Sequence, residues 1–209
     1  MFRHLFSTFL LITSISVFFI NFAFGASDNI QNPKLKNDNI PAENKSFKRF
    51  LVIYYSLSGN TREIALIIKE KMNADIYEIK TENEYPGSPM IYITAKKQMN
   101  PKNYPKLKNG NIPDINKYDL IFIGGPVWWY TVPAPILSFL SQTDFKGKTV
   151  VPFATHGGNY GKFFEDFESK IKNAKVIRGQ EFKKVLKTDK NLLDKKISDW
   201  LVPFSGKEI

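Results

Sequence analysis

The chain has 209 residues, 43% of them hydrophobic, with two histidines, no cysteine and a formal net charge of +10. Without cysteine there are no disulfides, iron–sulfur clusters, thiolate metal sites or thiol nucleophiles, and two histidines, one of them His4, exclude a multi-histidine metal centre. The length suffices for one domain held together by its own core.

At the start of the chain, Arg3 and His4 precede Leu5–Phe24, a run with no charged residue that closes on Ala23-Phe24-Gly25. This is the pattern of a secretory signal over residues 1–25, with cleavage before Ala26 and a periplasmic or extracellular destination. The apolar run is long for such a signal, so an uncleaved N-terminal anchor is the alternative. No cysteine lies near the cut, which excludes a lipid-modified N-terminus. Residues 26–48 are polar, rich in Asn, Lys and Ser, and contain Pro33 and Pro41, so they read as a disordered tether. Residues 49–209 read as the folded domain.

Within the domain, strands and helices alternate. The apolar run Phe50–Tyr55 predicts a strand buried on both faces. Thr61–Met72 predicts a helix with Ile64, Ile68 and Met72 on one stripe, capped by Asn60 with Glu63 three residues on. A short strand is predicted over Asp75–Lys80, helical structure from about Met90 within 85–100, and a Lys/Asn/Pro loop from Pro101 to Lys117. Leu120–Ile123 reads as a strand and Pro133–Ser141 as a helix. Thr149–Ala154 reads as a strand despite Pro152, which is unfavourable inside a sheet. A helix over Phe163–Ile171, a strand over Ala174–Ile177 and a helix over Asn191–Leu201 close the chain. Such alternation predicts βαβ units, a parallel sheet and right-handed crossovers.

Three unusual segments follow the first, third and fourth predicted strands, where open parallel sheets hold ligands. Ser56-Leu57-Ser58-Gly59-Asn60-Thr61 offers hydroxyl and amide donors, a glycine and a helix N-terminus, a set suited to phosphate. It is neither a dinucleotide-type glycine motif, since Gly59 stands alone, nor a Walker loop. Gly124-Gly125-Pro126-Val127-Trp128-Trp129-Tyr130 brings three consecutive aromatics, on which a flat conjugated ligand can stack, with glycines that would let backbone approach its polar edge. At least one of the two tryptophans is expected to pack into the core. Thr155-His156-Gly157-Gly158-Asn159-Tyr160-Gly161 reads as a loop that wraps a ligand. With no G-x-S-x-G elbow in the chain, His156 reads as a hydrogen-bond donor to ligand or loop rather than a triad base, and Tyr160 as an alternative stacking ring.

Together these loops resemble the flavodoxin family, more narrowly its short bacterial flavodoxin-like domains. There the first loop reads like Ser-x-Ser/Thr-Gly-Asn-Thr, the second like Gly-x-Pro-x-Trp-Trp and the third like Thr-His-Gly-Gly. The resemblance covers roughly residues 50–202. It implies a three-layer α/β/α fold with a five-stranded parallel sheet in the order 2-1-3-4-5, and non-covalently bound FMN. It further implies that Ser56, Ser58, Gly59, Asn60 and Thr61 hold the 5′-phosphate, that Pro126, Val127, Trp128 and Trp129 border the isoalloxazine ring, and that Thr155, His156, Gly157 and Gly158 complete the ring or ribitol contacts. No catalytic acid or base is then required. Three functions stand open: an exported electron carrier, an FMN-dependent NAD(P)H:quinone-type oxidoreductase, and a flavin-free binding module.

Soluble electron carriers of that family are usually acidic and cytoplasmic, whereas this chain is basic and carries an export pattern without a twin arginine. Its lysines concentrate in segments 34–49 and 96–117. They read as a solvated surface or as a site for an acidic partner or anionic surface; no nucleic-acid partner is expected, nor membrane contact after signal cleavage.

Overall fold

The computed structural model describes residues 49–108, 113–177 and 179–205. The expected signal (1–25) and tether (26–48) lie outside the described residues. Strands β1 (Phe50–Tyr54), β2 (Asp75–Glu78), β3 (Leu120–Pro126), β4 (Asp144–His156), β5 (Lys172–Val176) and β6 (Gln180–Lys183) form one sheet. The order is β2-β1-β3-β4-β5, with β6 also on β4, and every pairing is parallel. Helices α1 (Asn60–Met72), α2 (Met90–Lys97), α3 (Ala134–Gln142), α4 (Phe163–Lys170) and α5 (Lys190–Leu201) complete the α/β architecture.

The period-two alternation of a strand sends its side chains to opposite faces. Leu51 and Ile53 of β1 join one core with Ile121, Ile123, Ile136, Phe139, Phe163 and Phe167, under α3 and α4. Val52 and Tyr54 join the other with Ile64, Ile68, Phe122, Phe153, Ile197 and Trp200, under α1 and α5. Both faces are covered, which explains the unbroken apolar runs of β1 and β3.

The predicted fifth strand, Ala174–Ile177, is β5, and an unpredicted sixth, β6, follows it along β4. Thr155 O accepts from Val127 and so faces β3, while Val150 O and His156 O accept from Ile177 and Lys184 on the outer side. By alternation Pro152 also faces outward, and it has no N–H to give. The ladder to β3 therefore runs through Pro152, whereas the outer ladder ends at Val150–Val176 and resumes at Phe153–Gln180. Gly179 fills the gap; a Cβ there would lie 2.4 Å from the Phe164 ring and 2.9 Å from Pro152 O.

Two further expectations are corrected. The α1 cap is Gly59, in the left-handed region at φ 91°, with no side-chain cap bond; Asn60 is the first helical residue. Gly124 and Gly125 are packing glycines: a Cβ on Gly124 would lie 2.2 Å from the Phe153 ring, and one on Gly125 3.0 Å from Ile136 and Pro133. Gly124→Ala is expected to lower unfolding free energy by roughly 1–3 kcal/mol, the usual range for overpacking, in urea denaturation.

Candidate functional site

At the carboxyl ends of β1, β3 and β4 the three loops meet. In the first, the Arg62 amide donates to Ser56 Oγ (3.2 Å) and Asn60 Nδ2 to Ser58 Oγ (3.0 Å). Both serine oxygens act as acceptors here, so each keeps its O–H as a donor for something else. Arg62, the nearest cation in sequence, is committed to Glu78 at 2.5 Å. An added Cβ at Gly59 would meet open space.

Thr61 behaves differently from the serines. Its side chain is buried, and its hydroxyl pairs with that of Thr155, 2.8 Å away and also buried. Thr155 O in turn accepts from the Val127 amide at 2.8 Å. One residue thus joins the first, second and third loops.

The second loop is a tight hairpin. Trp128 and Thr131 pair in antiparallel fashion through bonds of 3.1 and 3.0 Å, leaving Trp129 and Tyr130 as its two central residues. Both have positive φ, 51° and 63°, the conformation of a type I′ turn that ordinarily selects Asn-Gly. Placing two aromatics there costs on the order of 1–3 kcal/mol each. The turn survives because it is held from below. The Lys162 amide donates to Tyr130 O at 2.8 Å, and Thr131 Oγ1 donates to the Asp166 carboxylate. Gly161, at φ 57°, lets the backbones approach: a Cβ there would lie 2.3 Å from Tyr130 O. The strained turn holds Trp129 44% and Tyr130 56% exposed.

Trp128 is the packed tryptophan of the pair. Its ring meets Tyr85 at 4.9 Å and Tyr55 at 5.6 Å, both edge-on, and burial pushes the phenols of Tyr55 and Tyr85 up. Tyr160 is 4% exposed and packed on Phe164, so it is a core residue and presents no stacking face. Pro126 and Val127 are half-buried beside the hairpin.

In the third loop, Gly157 and Gly158 are exposed, and an added Cβ at either would meet nothing within 4 Å. The His156 side chain is 2% exposed and turned into the protein, with Nε2 2.7 Å from Glu181 Oε2 on β6. Its Nδ1 is buried without a partner among the described residues. Lys196 Nζ lies 3.1 Å from the other Glu181 oxygen. The hydrogen bond from His156, with Lys196 adding to it, holds the Glu181 carboxyl down to about 2 against the opposing effect of burial.

The structure therefore brings Ser56, Ser58, Gly59, Asn60, Trp129, Gly157 and Gly158 together as accessible groups at one end of the sheet. Thr61, Thr155, Trp128 and His156 lie beneath them as supports. Sequence reasoning did not find Tyr55, Tyr85, Glu181 or the hairpin geometry of Trp129–Tyr130. Only Pro152 carried a signal for the strand that bears Glu181. No carboxylate occurs in 56–61, 124–131 or 155–162.

A family model described as flavodoxin matches residues 49–201. A flavoprotein from Lactobacillus acidophilus NCFM, solved in complex with FMN, is similar at 28% identity and TM-score 0.58, covering 71% of this chain and 97% of that one. A protein from Bacteroides eggerthii DSM 20697, assigned as a flavoprotein, is 31% identical with TM-score 0.60, over 76% and 99% of the two chains. Another from Bacteroides uniformis ATCC 8492 is 26% identical with TM-score 0.62, over 74% and 97%. Among curated proteins none matches.

Two outcomes follow from the geometry. Gly161→Ala should displace the hairpin, seen as a changed near-ultraviolet signal and tryptophan fluorescence with a loss of roughly 1–3 kcal/mol in stability. A carboxyl depressed from 4.5 to about 2 contributes stability that is complete above the unfolded value and is lost as pH falls through the folded one. Glu181→Gln should therefore remove roughly 2 kcal/mol at pH 7, discounted for partial exposure, and flatten the acid limb of a urea-denaturation series between about pH 5 and pH 2.

Proposed function

Because the chain belongs to the flavodoxin family, we propose that it binds FMN between these loops and transfers electrons through it, as an exported protein. The observation that carries the reading is the joining of a phosphate-type donor loop to a strained aromatic hairpin through the single residue Thr155. The donor set fits: serine O–H groups left to donate, open space at Gly59, Gly157 and Gly158, and no carboxylate within the three loops themselves. Bound FMN would supply reversible redox chemistry through its isoalloxazine ring.

The chain's own residues bind and orient. Ser56, Ser58 and Asn60 hold the 5′-phosphate at the positive end of α1, where neutral donors and the helix dipole replace a lysine. Trp129, presented by its turn, offers the stacking face, with Pro126 and Val127 along the ring edge and Gly157 and Gly158 leaving room for ring and ribitol. Thr61 and Thr155 fix the distance between the phosphate and ring ends. His156 acts from below by tying the third loop to β6. The signal pattern in residues 1–25 supports export.

Purified protein mixed with FMN should show flavin absorbance bands shifted on binding. Ser56→Ala with Ser58→Ala should weaken FMN about 10- to 100-fold, the loss of two charge-assisted hydrogen bonds, and riboflavin hardly at all. Equal loss for both ligands would sink the phosphate assignment. Mass spectrometry of protein from the exported fraction should find a chain beginning at Ala26; an intact Met1 in the membrane fraction would point to an anchor.

A further inference from the structure

Helix α2 is amphipathic in reverse. Its inward stripe is Ile91, Thr94, Ala95 and Gln98, with Gln98 Oε1 accepting from Tyr85 OH at 2.5 Å. The outward arc, at helical spacing, is Met90, Tyr92, Ile93, Lys96 and Lys97, all exposed. Lys96 Nζ sits 4.9 Å over the Trp129 ring, which makes this arc continuous with the Trp129–Tyr130 hairpin.

The resulting patch is unlike the rest of the surface. Eight large apolar side chains are exposed among the described residues, and five of them are here: Met90, Tyr92, Ile93, Trp129 and Tyr130. The charges on its helical arc, Lys96 and Lys97, are both positive; residues 85–113 contain five lysines and no Asp or Glu, with Glu82 and Glu84 before the stretch and Asp114 after it. The second loop and α3 (124–142) carry no charge. Asn103 Nδ2 donates to Lys97 O at 3.1 Å, which brings Lys102 beside the outward arc.

We propose that this face docks an acidic redox protein, one with carboxylates ringing an apolar centre. The purpose of the docking rests on the electron-transfer reading above; the docking itself is tested separately from it. Aromatic and methionine side chains rimmed by charge are the composition of a protein interface. Lys96 folded over Trp129 places a cation on the ring, which suits a carboxylate-bearing partner. A second copy of the chain would bring lysines against lysines.

The probe is a strongly acidic [2Fe–2S] ferredoxin, titrated at low ionic strength by calorimetry, with the flavin spectrum recorded on the same samples. Wild type should bind, and binding should weaken as salt rises. Lys97→Glu with Lys102→Glu should weaken it about 10-fold or more, the scale of charge steering and rim complementarity, and Tyr92→Ser with Ile93→Ser to a similar degree. Lys170→Glu with Lys175→Glu, the same charge change at the opposite end of the sheet, should cost less than about 2-fold. Equal effects of both charge reversals overturn the docking face, as does no binding by wild type. Binding to phosphatidylcholine/phosphatidylglycerol vesicles with a blue-shifted tryptophan signal, abolished by the Tyr92/Ile93 change, also overturns it in favour of a membrane. Concentration-dependent dimers in sedimentation that the same change dissolves overturn it in favour of self-association. Docking without a bound-flavin spectrum retains the surface and rejects the cofactor reading; a normal spectrum with unaltered docking in every variant does the reverse.

Discussion

Thr155 is the point on which the site depends. Buried at the penultimate position of strand β4, it pairs its hydroxyl with Thr61 and its carbonyl with the Val127 amide, so the three loops share one anchor. A buried hydroxyl pair is sensitive to loss of either member, because the survivor keeps its desolvation cost without its bond. The pair therefore couples the spacing of the donor loop to that of the aromatic loop. From the first loop, Thr61 is the residue that reaches Thr155 across the crevice.

Around the anchor, strain and support are arranged in opposition. The Trp129–Tyr130 turn adopts a conformation that glycine and asparagine prefer, and the third loop and α4 hold it there from one side. The effect is exposure: two large rings stand in solvent at the crevice while the neighbouring Trp128 packs on Tyr55 and Tyr85. The surrounding glycine, amide and carboxylate contacts account for how this strained backbone persists.

The sheet order and the layers followed from the family resemblance that the loop motifs carry, whereas the strand–helix alternation and the three loops were legible directly, because apolar runs and loop motifs are local signals. So was the split between a packed and an open tryptophan, though not which was which: hairpin geometry made Trp129 the open one, and two aromatics are the last residues expected at a type I′ turn. Asn60 as a cap was misread because Gly59, in a left-handed conformation, begins the helix without a side-chain bond. His156 and Tyr160 looked like ligand contacts from their loop, yet both turn inward, His156 to a carboxylate on a strand too short and polar to announce itself. The two glycines after β3 serve Phe153, Ile136 and Pro133, contacts that depend on register and lie beyond the reach of a linear pattern.

The interruption opposite Pro152 has a consequence for how the protein behaves among copies of itself. An outermost strand exposes unpaired amides and carbonyls and can template pairing with another chain. Here that rim is cut into segments of five and four residues, each bearing lysines: Lys172 and Lys175 on one, Lys183 on the other. Short, interrupted and each carrying lysine, neither offers the flat ladder on which intermolecular sheets grow. For a chain with no disulfide to restrain it, the proline inside β4 acts as a safeguard against aggregation, placed one strand in from the rim it protects.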